Sequence, residues 1–162
     1  MRKDLVDLSQ HLKAKKIEVL FESNTASHAK IEDFKTMPLD EIGQKADLVV
    51  VMGGDGTMLS TARALKNSGI PLVGINRGRF GFLTDLRAEE MLESVDAILA
   101  GEHQTESRMV LSASVIRGGK TILENHAVND IVLKSELRLI ELEVMVDGKF
   151  IHKLRADGLI LS

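Results

Sequence analysis

The residues best suited to chemistry are the run 53–57, Gly-Gly-Asp-Gly-Thr, which follows an apolar segment and precedes a helical one. A glycine-rich turn between a strand and a helix presents backbone N–H groups that attract phosphate. Because the run contains Asp55, it predicts phosphoryl transfer, in which a carboxylate orients or deprotonates the attacking hydroxyl. The alternative is a tight turn in which Asp55 only caps the helix. The run 53–57 lies at the carboxyl end of a predicted strand, where α/β folds bind ligands, and this favours a role in phosphoryl transfer over capping.

A second glycine-rich run, residues 74–83, also follows a predicted strand, so we expect it to lie beside the first. Its three glycines permit a close approach of the backbone to a ligand. Its two arginines, Arg77 and Arg79, could face phosphate groups. An ordinary surface loop with solvated arginines would have the same composition, and the spacing leaves both interpretations open.

Two further polar groups interrupt apolar sequence. Asn129 and Asp130 stand between apolar residues, which predicts a polar pair in the middle of an apolar strand. Such side chains need hydrogen-bond partners, which a ligand amide, a ribose hydroxyl or a neighbouring loop could supply. Residues 155–158, Arg-Ala-Asp-Gly, are typical of a turn when taken alone. The five histidines have no spacing that predicts a metal site.

The composition excludes several classes of function. Acidic residues outnumber basic ones by 24 to 21, so we expect no cationic surface for nucleic acid or an anionic membrane. With no Trp and no Tyr, a platform for stacking bases is not expected either. The lack of cysteine excludes disulfides and a cysteine nucleophile within this sequence. Since no segment predicts a membrane span or a secretory signal, we expect a cytoplasmic protein with no membrane and no nucleic acid partner.

The elements that position these residues alternate between helix and strand over the first hundred or so residues. Leu5, Leu8 and Leu12 share one helical face and predict the first helix. Such alternation is typical of an α/β domain with a parallel sheet. The predicted elements that follow are strand 17–21, helix 38–46, strand 48–52, helix 58–67, strand 71–75 and helix 88–100.

Beyond residue 101 the pattern changes. Residues 102–108 are polar and predict a linker. Apolar and polar residues then alternate over 109–115 and again over 140–146, each time before a glycine-containing hairpin turn. We therefore predict an α/β domain over residues 1–101 and the start of a β-rich domain over residues 102–162.

Taken together, four motifs have the order and spacing of bacterial NAD kinase, which the sequence resembles along nearly its whole length. The resemblance implies a Rossmann-like α/β domain with a parallel sheet, followed by a β-rich, β-sandwich domain, with NAD bound between them. It implies transfer of a phosphoryl group from ATP or polyphosphate to the adenosine 2′-hydroxyl of NAD, a divalent cation such as Mg²⁺, and a homodimer or homotetramer. The motifs are Gly-Gly-Asp-Gly-Thr at 53–57, Gly-Ile-Asn-Arg-Gly…Gly-Phe-Leu-Thr-Asp at 74–85, Asn-Asp at 129–130 and Arg-Ala-Asp-Gly-Leu-Ile-Leu-Ser at 155–162.

The resemblance also implies roles for single residues. Asp55 would accept the proton of the 2′-hydroxyl and contact NAD, while the metal ligands stay undefined. The family's chains begin before the first helix of this sequence and continue past residue 162, so we expect an internal piece of such an enzyme, inactive by itself. The other NAD contacts would come from Gly56, Asn129, Asp130, Arg138, Arg155 and Asp157.

Two other functions fit parts of the sequence. A lipid kinase could share the Gly-Gly-Asp-Gly loop, although the motifs at 129–130 and 155–157 argue against it. A non-catalytic module could bind NAD or another nucleotide without turnover. Titration with NAD together with an assay for NADP would separate these alternatives from an NAD kinase.

Overall fold

The computed structural model describes residues 1–78, 81–84 and 86–162, and it divides into two compact units, Met1–Arg108 and Met109–Ser162. Residues 102–110 have no regular secondary structure. Within the described ranges, no helix is both long enough and apolar enough to cross a membrane.

The first unit alternates helices and strands, which confirms the predicted α/β class. The helices predicted from Leu5 onward, from Pro38 and from Ala88 are all present, and the last begins with a 3₁₀ turn, Ala88–Glu90. The elements in chain order are α1 Arg2–Ala14, β1 Leu20–Glu22, α2 Ser23–Ala29, β2 Lys35–Met37, α3 Leu39–Lys45, β3 Val49–Gly53, α4 Asp55–Ala64, β4 Leu72–Asn76, β5 Leu86–Arg87 and α5 Met91–Leu99.

Parallel pairing brings together the carboxyl ends of the two strands that precede the glycine-rich loops. Strands β3, β4 and β5 form a parallel sheet in that order, while β1 and β2 form a separate parallel pair. In the register of β3 and β4, Val49 lies opposite Leu72 and Gly53 lies opposite Asn76. The loops that follow Gly53 and Asn76 therefore leave the same edge of the sheet.

The apolar run of β3 is buried on both faces, as predicted. Because successive side chains of a strand point to opposite faces, Val49 and Val51 belong to one core cluster with Met37, Ile42 and Leu65. The alternate residues Val50 and Met52 pack against a second cluster made of Leu8, Ile75, Met91 and Val95. The two clusters fix β3 between helices from both sides, and Ile75 of β4 is completely buried.

The sequence interpretation missed three elements of the first unit, namely α2, β2 and the two-residue strand β5. Residues 23–29 are polar and small, so they carry no helical pattern of large apolar residues. Their helix begins instead with a cap, because the Glu22 carboxylate accepts hydrogen bonds from the backbone N–H groups of Asn24, at 2.8 Å, and Thr25, at 2.7 Å. Burial opposes ionisation of Glu22, but these donors outweigh it and hold the pKa of the carboxyl below its ordinary value.

The second unit contains only antiparallel strand pairs, which agrees with the predicted β-rich character. Both predicted hairpin turns are present, with positive φ angles of 57° and 75° at Gly118 and Gly119, and of 51° and 74° at Asp147 and Gly148. Strand β6 pairs with β7, β9 with β10, and β8 with β11. The strands are β6 Leu111–Arg117, β7 Lys120–Ala127, β8 Ile131–Lys134, β9 Ile140–Val146, β10 Lys149–Ala156 and β11 Gly158–Leu161.

The strand pairs of the second unit expose much of their apolar surface. None of the residues of this unit, all of which the structure describes, is fully buried. Large apolar side chains that are at least half exposed include Ile116, Ile122, Met145, Phe150 and Ile160. The first unit thus holds the buried core of the described chain.

Candidate functional site

The first glycine-rich run is a sharp connection from β3 to α4. Gly54 precedes the helix, and its carbonyl accepts the N–H groups of Thr57, at 3.0 Å, and Met58, at 3.2 Å. A Cβ at Gly53 would lie 2.6 Å from the hydroxyl oxygen of Thr57, so the turn needs glycine there. The helix begins at Asp55, three residues before the predicted start, and it ends at Ala64 rather than at residue 67.

Asp55 does not cap α4, so the capping alternative is wrong. It is the first residue of the helix, and its side chain makes no capping hydrogen bond. Instead, the carboxylate accepts two backbone N–H groups of the second loop. Phe82 donates to Oδ2 at 2.8 Å, and Leu83 donates to Oδ1 at 3.0 Å. The expectation that the two glycine-rich loops lie side by side is therefore confirmed.

The start of the second loop is held by its own hydrogen bonds and by α1. Asn76, almost fully buried at the end of β4, accepts the N–H of Gly78 on its Oδ1 at 2.7 Å. Arg77 forms an ion pair with Asp4 of α1, with 2.8 Å between Nε and Oδ2. Burial would raise the pKa of Asp4, but the amino group of Met1 and the Arg77 guanidinium hold it below its ordinary value. Arg79, the other predicted phosphate-facing arginine, lies outside the described residues.

A cleft of about 370 Å³ opens at the carboxyl end of β4. Its lining contains two arginines and one glutamate, and Arg77 is already paired with Asp4. Because this charge is largely matched by the protein itself, we assign the cleft no ligand. The lining residues are Asn76, Arg77, Gly78, Arg87 and Glu89.

The predicted position of Asn129 and Asp130 in the middle of a strand is wrong. Strand β7 ends at Ala127 and β8 begins at Ile131, so both residues lie in the bend between them. The chain bends here because β7 pairs with β6, whereas β8 pairs with β11 in another sheet. The Nδ2 group of Asn129 donates to Oδ1 of Asp130 at 3.0 Å, so each side chain supplies a partner to the other.

The three other candidate residues of the second unit lie near the opposite end of the β8–β11 pair. Arg138 is exposed in the irregular segment between β8 and β9, and Arg155 is exposed on β10. Asp157 lies in the turn before β11, and its carbonyl accepts the N–H of Ser135 at 2.7 Å. At the usual strand rise, Asp130 is roughly 17 Å from this end. A ligand that contacts both groups must extend along the strand pair.

The described ranges, with their gaps at 79–80 and 85, contain no group of three or more His, Cys, Asp or Glu side chains that could hold a metal. The sequence interpretation also missed the backbone donors of Phe82 and Leu83. Backbone N–H groups have no side-chain signature, and only Gly81 beside them signals a close approach.

Comparison with known proteins identifies the family. The sequence model described as the ATP-NAD kinase N-terminal domain matches residues 5–103. The chain is 44% identical to the NAD kinase of Nitrosomonas europaea over 160 residues, which are 98% of the chain and 54% of that protein. It is also 44% identical to the NAD kinase of Thiobacillus denitrificans over 157 residues. The chain thus spans about half the length of the curated relatives it matches.

Solved structures have the same fold. The crystal structure of yeast NADH kinase complexed with NADH superposes with a TM-score of 0.84 over 98% of this chain and 52% of that chain, at 22% identity. The structure of an NAD kinase from Archaeoglobus fulgidus in complex with ATP superposes with a TM-score of 0.61 over 87% of this chain, at 25% identity. Since the family model covers well over half of the 162 residues, the chain belongs to the ATP-NAD kinase family.

Proposed function

We propose that the protein carrying this chain is an NAD kinase, which transfers the γ-phosphoryl group of ATP, or a phosphoryl group of polyphosphate, to the 2′-hydroxyl of the adenosine ribose of NAD. The observation that carries the proposal is the placement of Asp55. Its carboxylate is fixed by two hydrogen bonds in a glycine-rich loop at the start of a helix and at the carboxyl edge of a parallel sheet.

In the proposed reaction, Asp55 accepts the proton of the 2′-hydroxyl. The hydroxyl oxygen forms a bond to the γ-phosphorus of ATP as the bond between that phosphorus and the bridging oxygen breaks, and ADP leaves. Each carboxylate oxygen of Asp55 accepts one N–H group, so each retains a lone pair for the ribose hydroxyl. General-base assistance of this kind contributes typically ~10²–10⁴-fold in rate.

The glycines of the loop support binding of phosphate. A Cβ at Gly54 or at Gly56 would meet nothing within 4 Å, so the packing of the protein itself does not require glycine at either position. With glycine at both positions, no side chain stands in the way of a phosphate that approaches the first backbone N–H groups of α4. We assign Gly56, together with Asp55, to the nucleotide contact.

The donor set fits a divalent cation that arrives with ATP. Mg²⁺ is usually held by one or two carboxylates together with substrate phosphates, rather than by a cage of protein ligands. Asp55 is a single carboxylate with a free lone pair on each oxygen, so it would hold Mg²⁺ jointly with the phosphates of ATP. When bound, the ion would neutralise charge that develops on the transferred phosphoryl group.

The second unit supplies the other proposed NAD contacts. Asn129, Arg138, Arg155 and Asp157 have exposed polar side chains that can donate to or accept from a dinucleotide, and Asp130 is partly exposed. We also propose that the enzyme forms a homodimer or homotetramer, as the resemblance to bacterial NAD kinase implies. We further propose that the enzyme is cytoplasmic, as expected from the sequence.

The experiment that tests the proposal uses the longest reading frame that encodes this chain. The purified protein is incubated with Mg²⁺, ATP and either NAD or diacylglycerol, and calorimetric titration measures NAD binding in parallel. We expect NADP formation and no phosphorylated lipid. Binding of NAD without NADP formation would favour the non-catalytic module, and phosphorylated lipid would favour a lipid kinase.

A further inference from the structure

The turn formed by residues 81–83 donates two hydrogen bonds to Asp55, both from its backbone. Both donors are main-chain N–H groups, at 2.8 Å from Phe82 and 3.0 Å from Leu83, and each binds a different carboxylate oxygen. The side chain of Phe82 points away into solvent and is 94% exposed. We infer that this turn is the positioning element of Asp55, an inference that rests on the proposed kinase function.

Two donors on two oxygens fix the orientation of the carboxylate. An aspartate at the exposed start of a helix can rotate about both of its side-chain torsions, and the plane of its carboxylate is then undefined. In this structure a rotation about Cβ–Cγ would break both hydrogen bonds at once. The remaining lone pairs of Oδ1 and Oδ2 consequently have defined directions, which a base needs if it is to meet one particular hydroxyl.

Glycine at position 81 is required for this contact. A Cβ built on Gly81 would lie 2.6 Å from Cγ and 2.8 Å from Oδ2 of Asp55, closer than real side chains pack. The group that it meets is the end of a flexible side chain, so the carboxylate would move and the backbone would stay. A methyl group at position 81 therefore displaces the proposed base and leaves the fold intact.

A matched glycine lies in the same loop. A Cβ on Gly78 would have no neighbour closer than Oδ1 of Asn76, at 4.0 Å. Both glycines lose the same backbone freedom when they become alanine, but only at position 81 does the new methyl group meet Asp55. The pair Gly81→Ala and Gly78→Ala thus separates displacement of the carboxylate from a general stiffening of the loop.

The test measures kcat and the KM for NAD of the protein encoded by the longest reading frame that contains this chain. We expect Gly81→Ala to lower kcat about 100-fold, a loss that a displacement of about 1 Å can cause, with KM for NAD within about threefold of wild type. Gly78→Ala should stay within about twofold in both constants. The two variants should melt within a few degrees of each other.

A second pair of variants removes one donor. Phe82→Pro lacks the N–H that binds Oδ2, whereas Phe82→Ala keeps it, so we expect kcat of the proline variant to be at least about tenfold lower than that of the alanine variant. Equal kcat values for Gly81→Ala and Gly78→Ala, in an active wild type, would overturn the inference alone. A wild type that forms no NADP would overturn the proposed function and the positioning role with it.

The contact also has a readout that does not depend on activity. In ¹H–¹⁵N spectra of the protein encoded by the longest reading frame, Asp55→Asn should shift the amide resonances of Phe82 and Leu83. Asp47→Asn, at an exposed aspartate before β3, should not shift them. Unchanged resonances in Asp55→Asn would show that the turn does not hold the carboxylate.

Discussion

Replacement of Asp55 by asparagine should reduce turnover far more than NAD binding. Asparagine keeps the size of the side chain and one acceptor oxygen, but it cannot take the proton of the 2′-hydroxyl. The loss of a general base predicts a decrease in kcat of ~10²–10⁴-fold. Since the position of the ribose depends on many contacts, we expect the Kd for NAD to stay within about tenfold of wild type, which corresponds to about 1.4 kcal/mol.

The structure predicts that Asp55→Asn also lowers the free energy of unfolding, apart from its effect on turnover. In the folded protein, Oδ1 and Oδ2 of Asp55 each accept an N–H group. The amide of asparagine has only one oxygen, so its NH₂ group must face one of the two donors. An unsatisfied donor costs ~1–3 kcal/mol, and because Phe82 is exposed to water we expect about 1 kcal/mol in the free energy of unfolding.

The assay couples NADP formation to an NADP-specific dehydrogenase, and calorimetry gives the Kd for NAD. Asp47→Asn is the matched control, since this exposed aspartate lies before β3 and outside both loops. If Asp55→Asn kept turnover within about threefold of wild type, Asp55 would not be the base. If it abolished NAD binding, Asp55 would be a binding residue, and Asp130 would be the next candidate for the base.

Three further predictions concern stability and assembly. Glu22→Gln should lower the free energy of unfolding by about 1 kcal/mol at pH 7. Because the pKa of Glu22 is lowered in the folded state, this stabilisation is complete above the ordinary value of 4.5 and is lost as the pH falls through the lowered value, so urea titrations at pH 7 and pH 3 should show the difference shrink. Gly148→Ala, at a φ of 74°, should destabilise the β9–β10 hairpin by about 1 kcal/mol, measured by hydrogen exchange, and unchanged exchange would contradict the strained turn. The isolated 162-residue chain should form little NADP and should self-associate through its exposed apolar strands, and a monomer in sedimentation at micromolar concentration would argue against this.

The part of the fold that holds the site could be predicted because the pattern of apolar residues in the sequence marks its strands. The continuous apolar run of β3 is typical of a strand covered on both faces, and parallel pairing then places the loops after Gly53 and Asn76 together. Helix α2 could not be predicted in this way, since its start depends on the capping carboxylate of Glu22 rather than on apolar periodicity.

The site was predicted less completely, for two physical reasons. The hydrogen-bond donors to Asp55 are backbone N–H groups of Phe82 and Leu83. Every residue type except proline has such a group, so the sequence does not predict which ones bind Asp55. The flanks of Asn129 and Asp130 are apolar whether the chain continues as one strand or bends, so sequence alone does not distinguish the two arrangements. Only the change of strand partner between β7 and β8 places the bend there.

The bond between Asp55 and the turn at 81–83 links residues 27 and 28 positions apart in the chain. The intervening chain contains α4 and β4. The contact therefore forms only after α4 has carried the chain back across the sheet and β4 has paired with β3. Contacts of this sequence separation are slow to form because loop closure precedes them. The proposed base therefore acquires its orientation late in folding. The amide hydrogen of Phe82 should exchange with solvent whenever β4 separates from β3.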